Sequence, residues 1–230
     1  MEIRRPQIVL GVAGFFTVLS LILLLRGATN DSYMAILVFT IALLQLFEYG
    51  VWINQDCFPG GANDKASRGA YMLIWLMPAI LAFSGVFFGS HIAAKEYSVG
   101  MLFMTGIFFC LLTACLFSIM ITDKTTWCTT PGNNGQPIWW FLRNSSPLDL
   151  NFLWVVGMII PIFFVEPLIV GSGILIISGV SAVVARQADI ALEGEWISST
   201  ALMANSIGFW ALVAPYIRNY LFFPVEVQSF

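Results

Sequence analysis

Charge is what this chain has least of. Only ten per cent of its residues are Asp, Glu, Lys or Arg, against about 25% in a soluble domain. So few charges cannot coat a core drawn from a sequence that is 59% hydrophobic, which excludes an ordinary soluble globular domain. Ten Lys and Arg face thirteen Asp and Glu with no basic block, so a nucleic-acid partner has no electrostatic footprint. Histidine occurs once, at His91. Without a second histidine or an Asp/His cluster, zinc-hydrolase and desaturase types of metal site are excluded. We expect neither a metal nor an organic cofactor. Lysine is missing from every apolar run, since Lys65, Lys95 and Lys124 all lie in polar connections, which removes a retinal Schiff base.

What the chain has instead is long apolar segments. A membrane-crossing helix needs about 20 apolar residues, and the pattern predicts spans at 8–26, 34–53, 70–90 and 99–121. The next apolar stretch, 150–185, is 36 residues long. As one helix it would measure ~54 Å, too long for a single crossing of a ~30 Å hydrocarbon core. A turn at Glu166-Pro167 or Gly171-Ser172-Gly173 divides it into spans 150–166 and 168–186, and a last span covers 196–217. The expected fold class is therefore all-α: a polytopic transmembrane helix bundle of about seven spans, one integral membrane domain over 1–230. Six spans is the alternative, with one long tilted helix. The first apolar run exceeds the usual 7–15-residue signal-peptide core and is read as a span.

Seven spans put the N-terminus on the same side as the connections holding Lys65, Arg68, Lys124, Arg143 and Arg186. That side has seven Lys and Arg, the other three: Arg26, Lys95 and Arg218. The positive-inside rule then places the N-terminus in the cytoplasm, or in a matrix-like or stroma-like compartment. Cys57 and Cys128 each follow an even-numbered span, so they share a face and could form a disulfide. Such a bond needs an oxidising compartment, which conflicts with the charge count, and both possibilities stay open. Cys110 and Cys115 fall within the fourth span and read as small buried hydrophobes. Glycosylation triplets occur on both faces, at Asn30 and Asn144, and one topology cannot use both.

One pair interrupts the apolar pattern chemically. Gln45 and Glu48 lie inside the second span, and with Trp52 they form a stripe at i, i+3 and i+7 on one helix face. An ionised side chain at mid-bilayer costs roughly 2.5–3.5 kcal/mol on insertion scales, but Glu48 is only ~7 Å from its helix end by helical rise. It reads either as a proton-, ion- or headgroup-binding carboxylate or as interhelical glue. Asn205 and Ser206 in the last span are candidate partners. Trp127, Trp139, Trp140 and Trp154 flank spans four and five, where an interfacial aromatic belt is expected.

The run Gln45-Leu46-Phe47-Glu48-Tyr49-Gly50-Val51-Trp52, then Asn54-Gln55-Asp56-Cys57, Asn63 and Pro78, resembles a family of multi-spanning membrane proteins found in algae, fungi and large algal viruses. In that pattern a Gln/Glu-bearing second helix leads into a short Asp-Cys loop and a proline-containing third helix. Trp196-Ile197-Ser198 is similar to its C-terminal end. The resemblance implies the helix count and directs attention to Glu48, and no biochemical activity comes with it. Short loops, few ionisable groups and many aromatics predict a non-catalytic accessory or structural subunit, with the lipid bilayer and other membrane-protein subunits as partners. A transporter or channel using Glu48, with Gln45 and Asn205 lining a polar path, is the alternative.

Overall fold

The computed structural model describes residues 5–28, 30–89, 95–131, 137–138, 148–165, 176 and 213. Helix α1 runs Arg5–Arg26, α2 Asp31–Ile53, α3 Ala62–Phe88 and α4 Lys95–Thr122. Strands β1 (Thr130–Pro131) and β2 (Pro137–Ile138) form a two-residue antiparallel pairing, and helix α5, Leu148–Val165, follows. Four of these helices, α1 to α4, are long and apolar enough to cross a membrane, which agrees with an integral membrane protein. The spans expected at 168–186 and 196–217, and with them the count of seven, lie outside the described residues.

The third helix differs most from expectation. It begins at Ala62 rather than at residue 70, because its first two turns carry Asn63, Asp64, Lys65, Ser67 and Arg68. Hydropathy excludes such residues from a span, yet they are helical, and the side chains of Asn63, Asp64, Ser67 and Arg68 bond the flanking loops. At 27 residues α3 is ~40 Å long, about two turns more than a hydrocarbon core requires.

Lipid tails are as apolar as leucine, so helices in a membrane associate through close packing and hydrogen bonds. Here the packing relies on glycines that receive a large side chain from the next helix. A β-carbon at Gly69 would overlap the Phe47 ring, and one at Gly157 the Phe109 ring. At Gly106 it would come within 2.8 Å of Phe83, and at Gly85 within 2.7 Å of Val165. These contacts knit α2 to α3, α3 to α4, α4 to α5 and α5 back to α3.

They also set the register. Gly50 against Ala66 and Phe47 against Gly69 align α2 antiparallel to α3. Phe83 against Gly106 and Trp75 beside Thr113 do the same for α3 and α4. Helix α5 instead runs parallel to α3, with Trp154 beside Ile74 and Val165 beside Gly85.

Pro78 sits in the middle of α3. It has no N–H, so the carbonyl of Ile74 loses its helical partner. The Trp154 indole donates to that carbonyl at 2.8 Å. One residue on, the Trp75 carbonyl lies 3.0 Å from Thr113 Oγ1, which also lies 2.7 Å from the carbonyl of Phe109 in its own helix. Side chains from α5 and α4 thus seal the break. Trp154 belongs to this seam and not to an interfacial belt.

The α1–α2 turn is closed by charge. Gly27 and Asn30 adopt φ of 62° and 61°, a region glycine and asparagine enter most readily. Arg26 donates from Nε and Nη2 to the two carboxylate oxygens of Asp31, each at 2.6 Å, and the Ala28 N–H adds a bond of 2.9 Å. Asn30 Nδ2 donates to the Val165 carbonyl at the end of α5, at 3.0 Å. Ser20 donates to the Ala35 carbonyl across the same two helices, at 2.9 Å.

Replacing Trp154 by Phe removes the donor and is expected to cost about 1–3 kcal/mol, read as a lower midpoint of denaturation in detergent. In a Pro78→Ala background, where residue 78 supplies an N–H, the loss should shrink. Equal losses in both backgrounds would show that the indole does not stand in for the missing N–H of residue 78.

Candidate functional site

Gln45 and Glu48 lie on the inner face of α2 at 1% and 5% exposure, and Trp52 is partly buried below them. The stripe read from spacing is therefore a buried one. Trp52 Nε1 donates to Glu48 Oε1 at 3.4 Å, a long bond, and the Gln45 side chain also hydrogen-bonds the carboxylate. Asn205, the other member of the expected polar set, lies outside the described residues, as does Ser206.

Depth follows from the register. The pairs Gly50–Ala66 and Phe47–Gly69 set Glu48 level with Arg68. Arg68 donates to the Met120 carbonyl, two residues before α4 ends. By the parallel offset of α5 against α3, Leu148, the first residue of α5, falls at that same level. From there to Phe88, the end of α3, is about 20 residues, or ~30 Å, the thickness of a hydrocarbon core. Glu48 therefore marks one boundary of that core.

At and beyond that boundary stands a polar cluster that hydropathy reading overlooked. Asp64, 3% exposed, accepts from Trp127 N at 2.6 Å, from Gly60 N at 3.0 Å and from Arg68 Nε at 3.2 Å. The Arg68 guanidinium also donates to the carbonyls of Met120 and Thr125, each at 2.7 Å, and stands 5.0 Å from the centre of the Trp127 ring. Asn63 works in parallel. Its Nδ2 donates to the carbonyls of Asn54 at 2.8 Å and Thr129 at 3.0 Å, while its Oδ1 accepts from Thr129 N at 3.0 Å. Ser67 and Thr129 share a hydroxyl bond of 2.6 Å. Cys57 and Cys128 are joined as a disulfide within this cluster, with α-carbons 5.7 Å apart.

Trp127 is buried here, packed edge-on to Tyr71 with ring centres 5.0 Å apart. It is an anchor of the loop and not part of an interfacial belt; Trp139 and Trp140 lie outside the described residues. Its indole donates to Asp123 Oδ2 at 2.8 Å. That bond, with the Thr125 N–H and hydroxyl and the nearby Arg68 charge, holds the Asp123 carboxyl below the ordinary aspartate range.

Other candidates separate cleanly. Cys115 is exposed on the outer face of α4 and Cys110 is only partly buried, so the expectation of buried thiols fails for Cys115; α4 turns that face outward. Asn30 is 3% exposed and bonded to Val165, which closes that glycosylation triplet. Asn144, His91 and Glu166 lie outside the described residues. Among the described residues, no three His, Cys, Asp or Glu side chains converge to hold a metal.

The signal that could have revealed the cluster is the string Asn63-Asp64-Lys65-Ala66-Ser67-Arg68. Asn63, Ser67 and Asp64, Arg68 are i, i+4 pairs that share a helix face. Comparison with protein-family models, curated proteins and solved structures finds no match for the chain, so the site rests on its own geometry.

Two outcomes are expected. Asp64→Ala strips the Arg68 guanidinium of its counter-ion and leaves two backbone N–H groups unpaired, a loss of about 2–4 kcal/mol in detergent denaturation; an unchanged midpoint would refute the cluster's role. Asp123 contributes stability above the ordinary aspartate pKa of about 4 and loses it as pH falls through its lower folded value. Solvent screening keeps this contribution small. Asp123→Asn should therefore lower the melting temperature slightly at neutral pH, with the difference shrinking as the medium is acidified, and a difference that grows in acid would refute it.

Proposed function

We propose that this chain is a non-catalytic multi-pass membrane protein that serves as a packed structural subunit of a larger membrane complex. The observation that carries this reading is how the apolar helices use their polar side chains. Ser20, Asn30 and Trp154 each donate to a backbone carbonyl of a neighbouring helix, and Thr113 reaches one. Glu48 bonds within α2 at the edge of the core. Groups committed to helix crossings are not free to bind a moving solute. The outward faces of α1 and α4 carry large apolar side chains, Phe15, Val18 and Leu25 on one and Met104, Phe108 and Leu111 on the other. Such surfaces suit lipid and the apolar helices of adjoining subunits.

Extraction in mild detergent should yield an assembly with stoichiometric partners. A chain that ran only as a monomer under those conditions would overturn the reading.

The burial of the Glu48 carboxylate supports a second reading, a transporter or channel for protons, ions or small solutes. Flux in liposomes that falls in Glu48→Gln would favour it over the first. Absent flux, or flux unchanged by the substitution, would count against it.

A further inference from the structure

Cys57 and Cys128 are brought together by more than chance proximity. Cys128 is flanked by Trp127 and Thr129, whose backbone N–H groups are held by Asp64 at 2.6 Å and by Asn63 at 3.0 Å. On the other side, Asn54, three residues before Cys57, gives its carbonyl to the same Asn63 amide at 2.8 Å. One asparagine therefore grips the chain beside both cysteines. The α-carbon separation of 5.7 Å falls where disulfides are most often found. Cys110 and Cys115, in the apolar part of α4, remain thiols. The pairing is selective and built into the fold.

A thiol pair within reach of solvent in a glutathione-buffered compartment stays reduced as a rule, whereas secreted, lumenal and periplasmic segments keep their disulfides. Cys57 is exposed, with Cys128 buried behind it. We infer that the bundle sits in its membrane with the Cys57–Cys128 end in an oxidising compartment, a lumen, a periplasm or the exterior. Helices α1 and α2 cross and return, so the Arg5 end of α1 and the Glu48 boundary face that compartment too. The α1–α2 turn with its Arg26–Asp31 pair then faces the reducing side.

This orientation is opposite to the one favoured by counting basic residues. Among the described residues that count is four against two: Arg5, Lys65, Arg68 and Lys124 against Arg26 and Lys95. The bias is small, and Arg68 is held by Asp64 in the folded chain. A covalent bond that requires an oxidant is the stronger constraint.

Cells expressing the full chain can be quenched in acid and labelled with maleimide–polyethylene glycol. The chain has four cysteines. Two adducts at most are expected before reduction, at Cys110 and Cys115, and two more after it. Four adducts without reduction would overturn the inference. In sealed vesicles of known orientation, with Cys110 and Cys115 first blocked by a permeant maleimide, a membrane-impermeant reductant and an impermeant maleimide should add two adducts from the exoplasmic or lumenal face alone. Addition from the cytosolic face would overturn the orientation. Both measurements use the native chain, and neither outcome depends on whether it is a structural subunit or a transporter.

Discussion

Inside hydrocarbon every backbone N–H and C=O must find its partner within the protein, because water is not there to supply one. Pro78 breaks that rule in the middle of α3, and the arrangement of the neighbouring helices can be read from the repair. The Trp154 indole has to reach Ile74, which fixes the rotation and height of α5. Thr113 stands against Trp75, which does the same for α4. Glycines at 69, 85, 106 and 157 then let large side chains from the adjoining helices close the seams. Packing and backbone satisfaction thus point to one geometry, the consistency expected of a sequence that specifies a single fold.

The two ends of the bundle are built differently. At one, a bidentate pair between Arg26 and Asp31 closes a tight turn. At the other, a larger polar cluster holds two loops and a disulfide against α3. Asp31 and Glu48 are about 17 residues apart on α2, or ~26 Å, so charged groups bracket the hydrocarbon without entering its centre. Glu48 accordingly escapes most of the penalty of a mid-bilayer carboxylate. What remains unusual about it is burial among side chains, not depth in lipid.

Four apolar runs could be read from hydropathy alone because a bilayer demands unbroken apolar length, and the α1, α2 and α4 limits fall within four residues of that reading. The start of α3 could not, since hydropathy does not register the bonds that tie its polar turns to the loop before it and to residues 125–129. That Gln45, Glu48 and Trp52 share one helix face was legible from periodicity, though not that this face turns inward, and so was the shared face of Cys57 and Cys128. The roles of Asn63 and Asp64 were not. Each becomes visible only once residues 127 to 129 are folded against them, a separation of more than 60 positions. The same holds for Trp127 and Trp154: their place near span ends suggests a belt, while their indole N–H groups are claimed by Asp123 and Ile74.

The parallel pairing of α3 and α5 has a consequence for how the chain is made. Synthesis delivers α3, with its unpaired Ile74 carbonyl, about 75 residues before Trp154 leaves the ribosome. Through that interval the Ile74 carbonyl lacks its final donor, and α4 can offer only a hydroxyl already shared with Phe109. The arrival of α5 therefore brings the last donor that backbone satisfaction in α3 requires.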